Sequence, residues 1–153
     1  MSSVLKRHQK ISEMEFYRKS AEFRDKITTA LMKETYVPKR MRSVFTFPVI
    51  ALADQLMEQI VIANSIYPYT AEKLQARKAA QQTAIRTCEL LWDKLNWYVR
   101  YRWKAEVTAD TPLPGDLEEC LILLDMAETR LQEWHHKAKL VDYRAQKPEV
   151  TGS

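Results

Sequence analysis

The chain of 153 residues is 46% hydrophobic and 29% charged, which excludes a disordered polymer and leaves enough apolar surface for one self-sufficient core. Its 2 glycines, Gly115 and Gly152, exclude glycine-rich phosphate loops, nucleophile elbows and dinucleotide-binding turns, and a hairpin-rich β fold would lack its turn residues. The net charge of +4 conceals an asymmetry, because residues 1–104 carry +9 and residues 105–153 carry −5; such a distribution suits nucleic acid or pairing between copies.

In chain order, residues 1–11 read as a basic arm with Lys6, Arg7 and Lys10 but no apolar stretch of the kind export requires. A helix is expected over 13–34. Ser12 and Glu15 have capping-box spacing, Ile11 and Phe16 have the offset of a hydrophobic staple, and Phe16, Ser20, Phe23, Ile27, Ala30 and Leu31 form one apolar stripe. Pro38 stops it, and Lys39, Arg40 and Arg42 load the following loop, with Lys33 just before them. The second helix is expected over 47–66, with Thr46 as hydroxyl cap and Pro48 in the first turn. Val49, Ala53, Leu56, Ile60 and Ala63 make its inner stripe, while Leu52, Met57, Val61, Ile62 and Ile66 carry apolar character beyond it. A helix apolar over most of its circumference implies cover from a partner chain. No apolar run reaches the ~18 residues of a membrane span, so no membrane is expected.

Pro68 ends the second helix, and Thr70 caps a third expected over 71–103, with Leu74, Ile85, Cys88, Leu91, Trp92, Leu95 and Val99 on one side. At 1.5 Å per residue it is roughly 50 Å long, so it should overhang the other helices or bend. Residues 105–115, with Pro112 and Pro114, read as an irregular linker. A fourth helix is expected over 116–143, opened by a second capping-box pattern at Asp116 and Glu119, with a stripe from Leu117 through Leu131 to Val141. Residues 12–144 form the helical body and 145–153 a disordered tail. Short connections favour an all-α, antiparallel up-down-up-down four-helix bundle.

Catalytic chemistry finds little purchase. A di-iron bundle needs two Glu-x-x-His pairs, and Glu133 with His136 makes one; the remaining histidines are the neighbouring His135 and the remote His8. Cys88 and Cys120 sit on inner stripes, where a thiol is raised in pKa and inert, and they suit a reducing cytoplasm. The expectation is a non-enzyme without metal or cofactor. The bases are more informative. Lys39, Arg40 and Arg42 in the first loop, and Arg77, Lys78 and Arg86 on the third helix, form the candidate nucleic-acid-binding set. Further bases, Lys94, Arg100, Arg102 and Lys104, gather toward that helix's end. Leu90, Trp97 and Tyr101 recur among bases on its outer face; they suit base stacking or a subunit interface, and the apolar second helix tips the reading to an interface.

Val37-Pro38-Lys39-Arg40, the aromatic Phe45, and a helix closing on Ile62-Ala63-Asn64-Ser65-Ile66-Tyr67-Pro68 resemble the bundle proteins related to the accessory variability determinant (Avd) of diversity-generating retroelements. The likeness runs from about Ser12 to Leu140. It implies a homopentameric barrel of bundles that binds RNA or DNA and a reverse transcriptase and supports template RNA and cDNA handling without catalysing synthesis. Only Lys39 and Arg40 match that family's basic pair, and the acidic fourth helix departs from its basic surface. The alternative is an oligomeric scaffold for protein–protein contact without nucleic acid.

Overall fold

A computed structural model describes residues 10–104 and 113–141, which contain helices and no strands. Residues 10–12 are helical, where a basic arm was expected up to residue 11, and they are followed by α1 (Glu15–Leu31), α2 (Thr46–Ser65), α3 (Ala71–Trp103) and α4 (Gly115–Lys137), with a short 3-10 turn at Lys39–Met41 between α1 and α2. The basic segment 1–9, most of the linker and the tail expected over 145–153 lie outside the described residues.

The inner stripes are where 3–4 spacing places them. Phe16, Ser20, Phe23, Ile27, Ala30 and Leu31 of α1 are buried, as are Val49, Ala53, Leu56, Ile60 and Ala63 of α2. Ile85, Cys88, Leu91, Leu95 and Val99 of α3 meet Leu117, Cys120, Leu124, Ala127 and Leu131 of α4 in the same core. The driving force is removal of this apolar surface from water, at about 25 cal/mol per Å2.

Neighbouring helices meet with residue order reversed. Between α1 and α4, Phe16 stacks on Trp134, Lys26 pairs with Glu119, and Lys33 pairs with Asp116. Between α1 and α2, Thr46 contacts Leu31 and Arg24 pairs with Asp54. Between α2 and α3, Thr87 donates to Gln59 and Arg77 to the Ile66 carbonyl. Between α3 and α4, the Trp92 indole donates to Glu128, and Arg77 lies over Trp134.

The helix ends depart from the expected capping, for identifiable reasons. The expected Ser12–Glu15 box does not open α1; Met14 is its N-cap, in extended conformation and without a side-chain cap bond. Ile11 and Phe16 are nonetheless both buried in the core. Thr46 does not cap its own helix: Phe45 holds that position, and the Thr46 hydroxyl donates to the Leu31 carbonyl at 2.7 Å. It thereby satisfies one of the free carbonyls that end α1. Thr46→Val is therefore expected to lower stability by about 1–2 kcal/mol, because a buried acceptor loses its donor at nearly constant side-chain volume. Urea denaturation of the two proteins measures this.

For α3 the expectation holds at both ends, with the Thr70 hydroxyl accepting from the Lys73 amide at 3.1 Å. Lys104 closes the helix in the left-handed region, φ 56° and ψ 40°, a common C-terminal geometry. Its first two turns are mostly exposed, with Arg77 half-buried against Ile66 and Trp134. The α4 box fails too, since Asp116 and Glu119 reach across to Lys33 and Lys26 of α1. α4 stops at Lys137, short of the expected residue 143, and residues 138–141 leave it as a strap whose Val141 amide donates to the Pro68 carbonyl at 3.0 Å.

One expectation about composition needs correcting. α2 is long and apolar enough, by length and composition, to cross a membrane, with mean hydropathy 1.3. It is the one such helix among the described residues. Reading unbroken apolar runs missed it because Asp54 and Glu58 interrupt the run without lowering the average far enough.

Candidate nucleic-acid interface

The tertiary structure sorts the basic residues by what holds them. Lys39 and Arg40 stand exposed on the 3-10 turn, where the Lys39 amide donates to the Glu34 carboxylate at 3.3 Å. This turn sits against the C-terminal end of α3. The Arg102 guanidinium donates to the Thr35 carbonyl at 3.3 Å, and the buried Tyr98 hydroxyl donates to the Tyr36 carbonyl at 2.8 Å. Two basic clusters remote in sequence, Lys39–Arg40 and Arg100–Lys104, thus share one end of the molecule. Between them a cleft of about 180 Å3 has Arg40 and Arg102 on its walls beside Tyr36, Phe45 and Tyr101, with Glu34 as the one carboxylate.

The aromatics of this end are organised by Phe45. Its ring is buried and lies 4.6 Å from Trp97, 5.0 Å from Tyr101 and 5.5 Å from Tyr98, centroid to centroid. Trp97 and Tyr101 remain 40% and 57% exposed, so each keeps an open portion of ring beside cations. Lys94 lies over Trp97 at 5.6 Å. Leu90, 53% exposed, continues the face toward the middle of α3. An outer row of rings alternating with bases can stack planar groups and contact phosphates, or form the centre of a subunit contact.

Other predicted contacts are occupied within the protein. Arg42 is largely covered: its guanidinium donates to the Met32 carbonyl at 2.8 Å and lies 3.5 Å from Glu34, so it clips the turn to the end of α1. Lys33, expected to extend the basic loop, is paired with Asp116 at 2.7 Å. That pairing raises the lysine pKa and lowers the aspartate's, the hydrogen bond being the main cause in both. Arg77 and Lys78 lie near the opposite end of α3, roughly 38 Å from Arg102 at the helical rise, and Arg77 is half-buried against Ile66 and Trp134. Arg86 is exposed in between. The six predicted residues therefore do not form one surface. Lys39 and Arg40 lie side by side on the turn, and of the second basic cluster that the sequence signalled at the end of α3, Arg102 lines the cleft with Arg40.

The groups considered for catalysis are placed as follows. Cys88 and Cys120 are fully buried, and burial is the main cause that pushes both thiols up, Cys120 to about 11. Glu133, half of the Glu-x-x-His pair, is bound by Arg130 at 3.0 Å, and His8 lies outside the described residues. No group of three or more metal-ligating side chains occurs among the described residues.

Comparison with known proteins finds no matching family model, no matching curated protein and no matching solved structure.

Proposed function

We propose that this protein is a non-enzymatic nucleic-acid-binding accessory of the cytoplasm, an up-down-up-down four-helix bundle that works as a homo-oligomer. The observation that carries the reading is the cleft where Arg40 of the turn and Arg102 of α3 meet beside half-open Tyr101, with half-open Trp97 packed on the same Phe45 ring. Cations contact phosphates without regard to sequence, and aromatic rings stack on bases, so the preferred ligand is a single strand of RNA or DNA. The resemblance of Val37–Arg40 and Ile62–Pro68 to Avd-related proteins narrows the role to handling template RNA or cDNA beside a reverse transcriptase, in a five-membered ring. A reverse-transcriptase gene and a variable repeat next to this gene would support that narrowing, and their absence would remove it.

The binding reading is tested by fluorescence anisotropy with single-stranded RNA and DNA. Replacing Lys39, Arg40 and Arg100 by alanine is expected to weaken binding at least ~10-fold at low salt and to flatten the salt dependence by about 0.7 for each phosphate no longer neutralised, at unchanged helix content. Lys26→Ala, which removes a base already paired with Glu119, should leave affinity unchanged. Absence of binding by the wild type even at ~50 mM salt, where phosphate contacts are strongest, overturns the reading.

A scaffold reading is favoured by a separate observation, the exposed apolar side chains Phe47, Val61 and Ile62 on α2 and Leu90, Trp97 and Tyr101 on α3. Trp97→Ala separates the two. Lost affinity at unchanged mass makes Trp97 a stacking residue, whereas a fall in mass by light scattering toward the 18.0 kDa chain makes it an interface residue.

A further inference from the structure

At the end of the molecule opposite Lys39 and Arg40, a cavity of about 320 Å3 opens between the start of α1, the α2–α3 turn and the strap that leaves α4. Its walls, among the described residues, carry four cations, Lys10, Arg77, Lys137 and Lys139, and no carboxylate. Among the described residues none of the four is in an ion pair. Unpaired like charges lining a concave wall repel one another and focus a positive potential into the hollow.

Arg77 is the fixed element of this wall. One of its N–H groups donates to the Ile66 carbonyl at 2.8 Å, and its guanidinium lies 5.2 Å from the centroid of the Trp134 ring. That ring in turn stacks on Phe16, with centroids 4.0 Å apart and planes 10° from parallel. Most of the five guanidinium N–H donors have no hydrogen-bond partner among the described residues. The group is partly desolvated, which pushes its pKa down, and no carboxylate compensates it. Lys139 is carried by the strap that the Val141–Pro68 hydrogen bond ties across the turn. Tyr67 supplies an aromatic wall, and Ile11 and Met14 an apolar one.

We propose that this cavity binds a small organic phosphate, its phosphate group held among Arg77, Lys10, Lys137 and Lys139 and its planar ring placed against Tyr67. Four cations exceed what a single carboxylate would neutralise and suit a dianion that takes a charge-assisted guanidinium fork. The volume lies at the small end of the range for small-molecule sites, which admits one nucleotide-sized molecule rather than a strand. The site is thus separate in place and ligand from the nucleic-acid interface, and neither reading depends on the other.

The test is calorimetric titration of the full chain at low salt with adenosine 5′-monophosphate, adenosine and inorganic phosphate. The expected result is saturable binding of one adenosine 5′-monophosphate per chain, competed by inorganic phosphate, with adenosine at least ~10-fold weaker because the charge-assisted contacts are absent. Exchanging Lys137 and Lys139 together for alanine, both exposed and at or beyond the end of α4, should weaken binding ~10-fold or more without altering the fold. Arg77→Lys keeps the charge but loses the fork, and should fall between that variant and wild type. Lys26→Ala, which removes a base on α1 already paired with Glu119, should bind as wild type does. No saturable binding at about 10 mM nucleotide overturns the proposal, that being far weaker than a built phosphate site. Equal binding of adenosine overturns it as well, as does binding that survives the double lysine change. The lysine variant decides the matter if Arg77→Lys fails to fold. Strand binding without nucleotide binding would reject this site and leave the nucleic-acid interface standing.

Discussion

Above pH 10 the protein is expected to lose roughly 2–3 kcal/mol of stability as the pH rises to about 12, and Tyr98→Phe is expected to remove that loss. Tyr98 is 1% exposed, packed against Phe45 and Trp103, and its hydroxyl donates to the Tyr36 carbonyl. Burial pushes its pKa from the ordinary 10.0 up to about 12, with nearby Arg102 pulling the other way. The folded state therefore holds the proton more tightly than the unfolded chain. The stabilisation is complete below pH 10, falls as the unfolded chain releases its proton while the folded one does not, and is gone above about 12. At neutral pH Tyr98→Phe should cost about 1–2 kcal/mol, since the Tyr36 carbonyl loses its donor. Urea denaturation at pH 7 and at stepped alkaline pH, wild type against variant, separates the two effects. Equal alkaline losses in both proteins would show that Tyr98 does not carry the dependence. The residue also matters to the nucleic-acid interface, because its bond to Tyr36 anchors the segment leading into the turn of Lys39 and Arg40.

Gln81→Leu is expected to stabilise the protein by about 1–3 kcal/mol, which raises the melting temperature by roughly 2–4 °C for each kcal/mol. Gln81 is fully buried on the inner face of α3, and among the described residues neither its Oε1 nor its Nε2 has a hydrogen-bond partner. Burying an amide without partners forfeits its hydration and returns nothing, whereas leucine of similar size gains from the same burial. Gln81→Glu, which puts a carboxylate in the same place, should destabilise severely or force protonation. Calorimetric melting of the three proteins checks the order; a leucine variant less stable than wild type would mean that the amide is satisfied in solution.

The basic and acidic segments illustrate how charge read along the chain redistributes in three dimensions. The acidic fourth helix does not stand apart from the basic first two-thirds. It packs against α1, where Glu119 and Asp116 take up Lys26 and Lys33. The bases left facing solvent without a carboxylate partner among the described residues are fewer than the composition suggests; Lys39, Arg40 and Arg102 stand at one end of the molecule, Lys137 and Lys139 at the other, and Arg86 between them.

Helical periodicity alone determined the buried stripe of α1 and most of that of α2, because burial at 3–4 spacing depends on the helix's own geometry; Met57, read as lying beyond the α2 stripe, is buried as well. The same local physics placed the ends of α3, where Thr70 caps an amide three residues away in sequence. It did not decide the fate of side chains whose partners are distant in sequence. Thr46, Ser12, Glu15, Asp116 and Glu119 all had the pattern of local caps, yet Thr46 bonds to Leu31 and the α4 acids to lysines of α1. Spacing put Trp97 on the outer face of α3, but nothing in it marked the bond of buried Tyr98 to Tyr36, since that carbonyl is 62 residues away. The candidate site was legible as clusters of bases and a row of rings. Only packing decided that Arg42 and Arg77 are held by backbone carbonyls, and that the turn at Lys39 joins the far end of α3 while Arg77 and Lys78 stand at its other end. Sequence distance and spatial distance part company there because a 33-residue helix separates its own two ends by roughly 50 Å, while the segment that follows α1 folds onto its last turns through Thr35 and Tyr36.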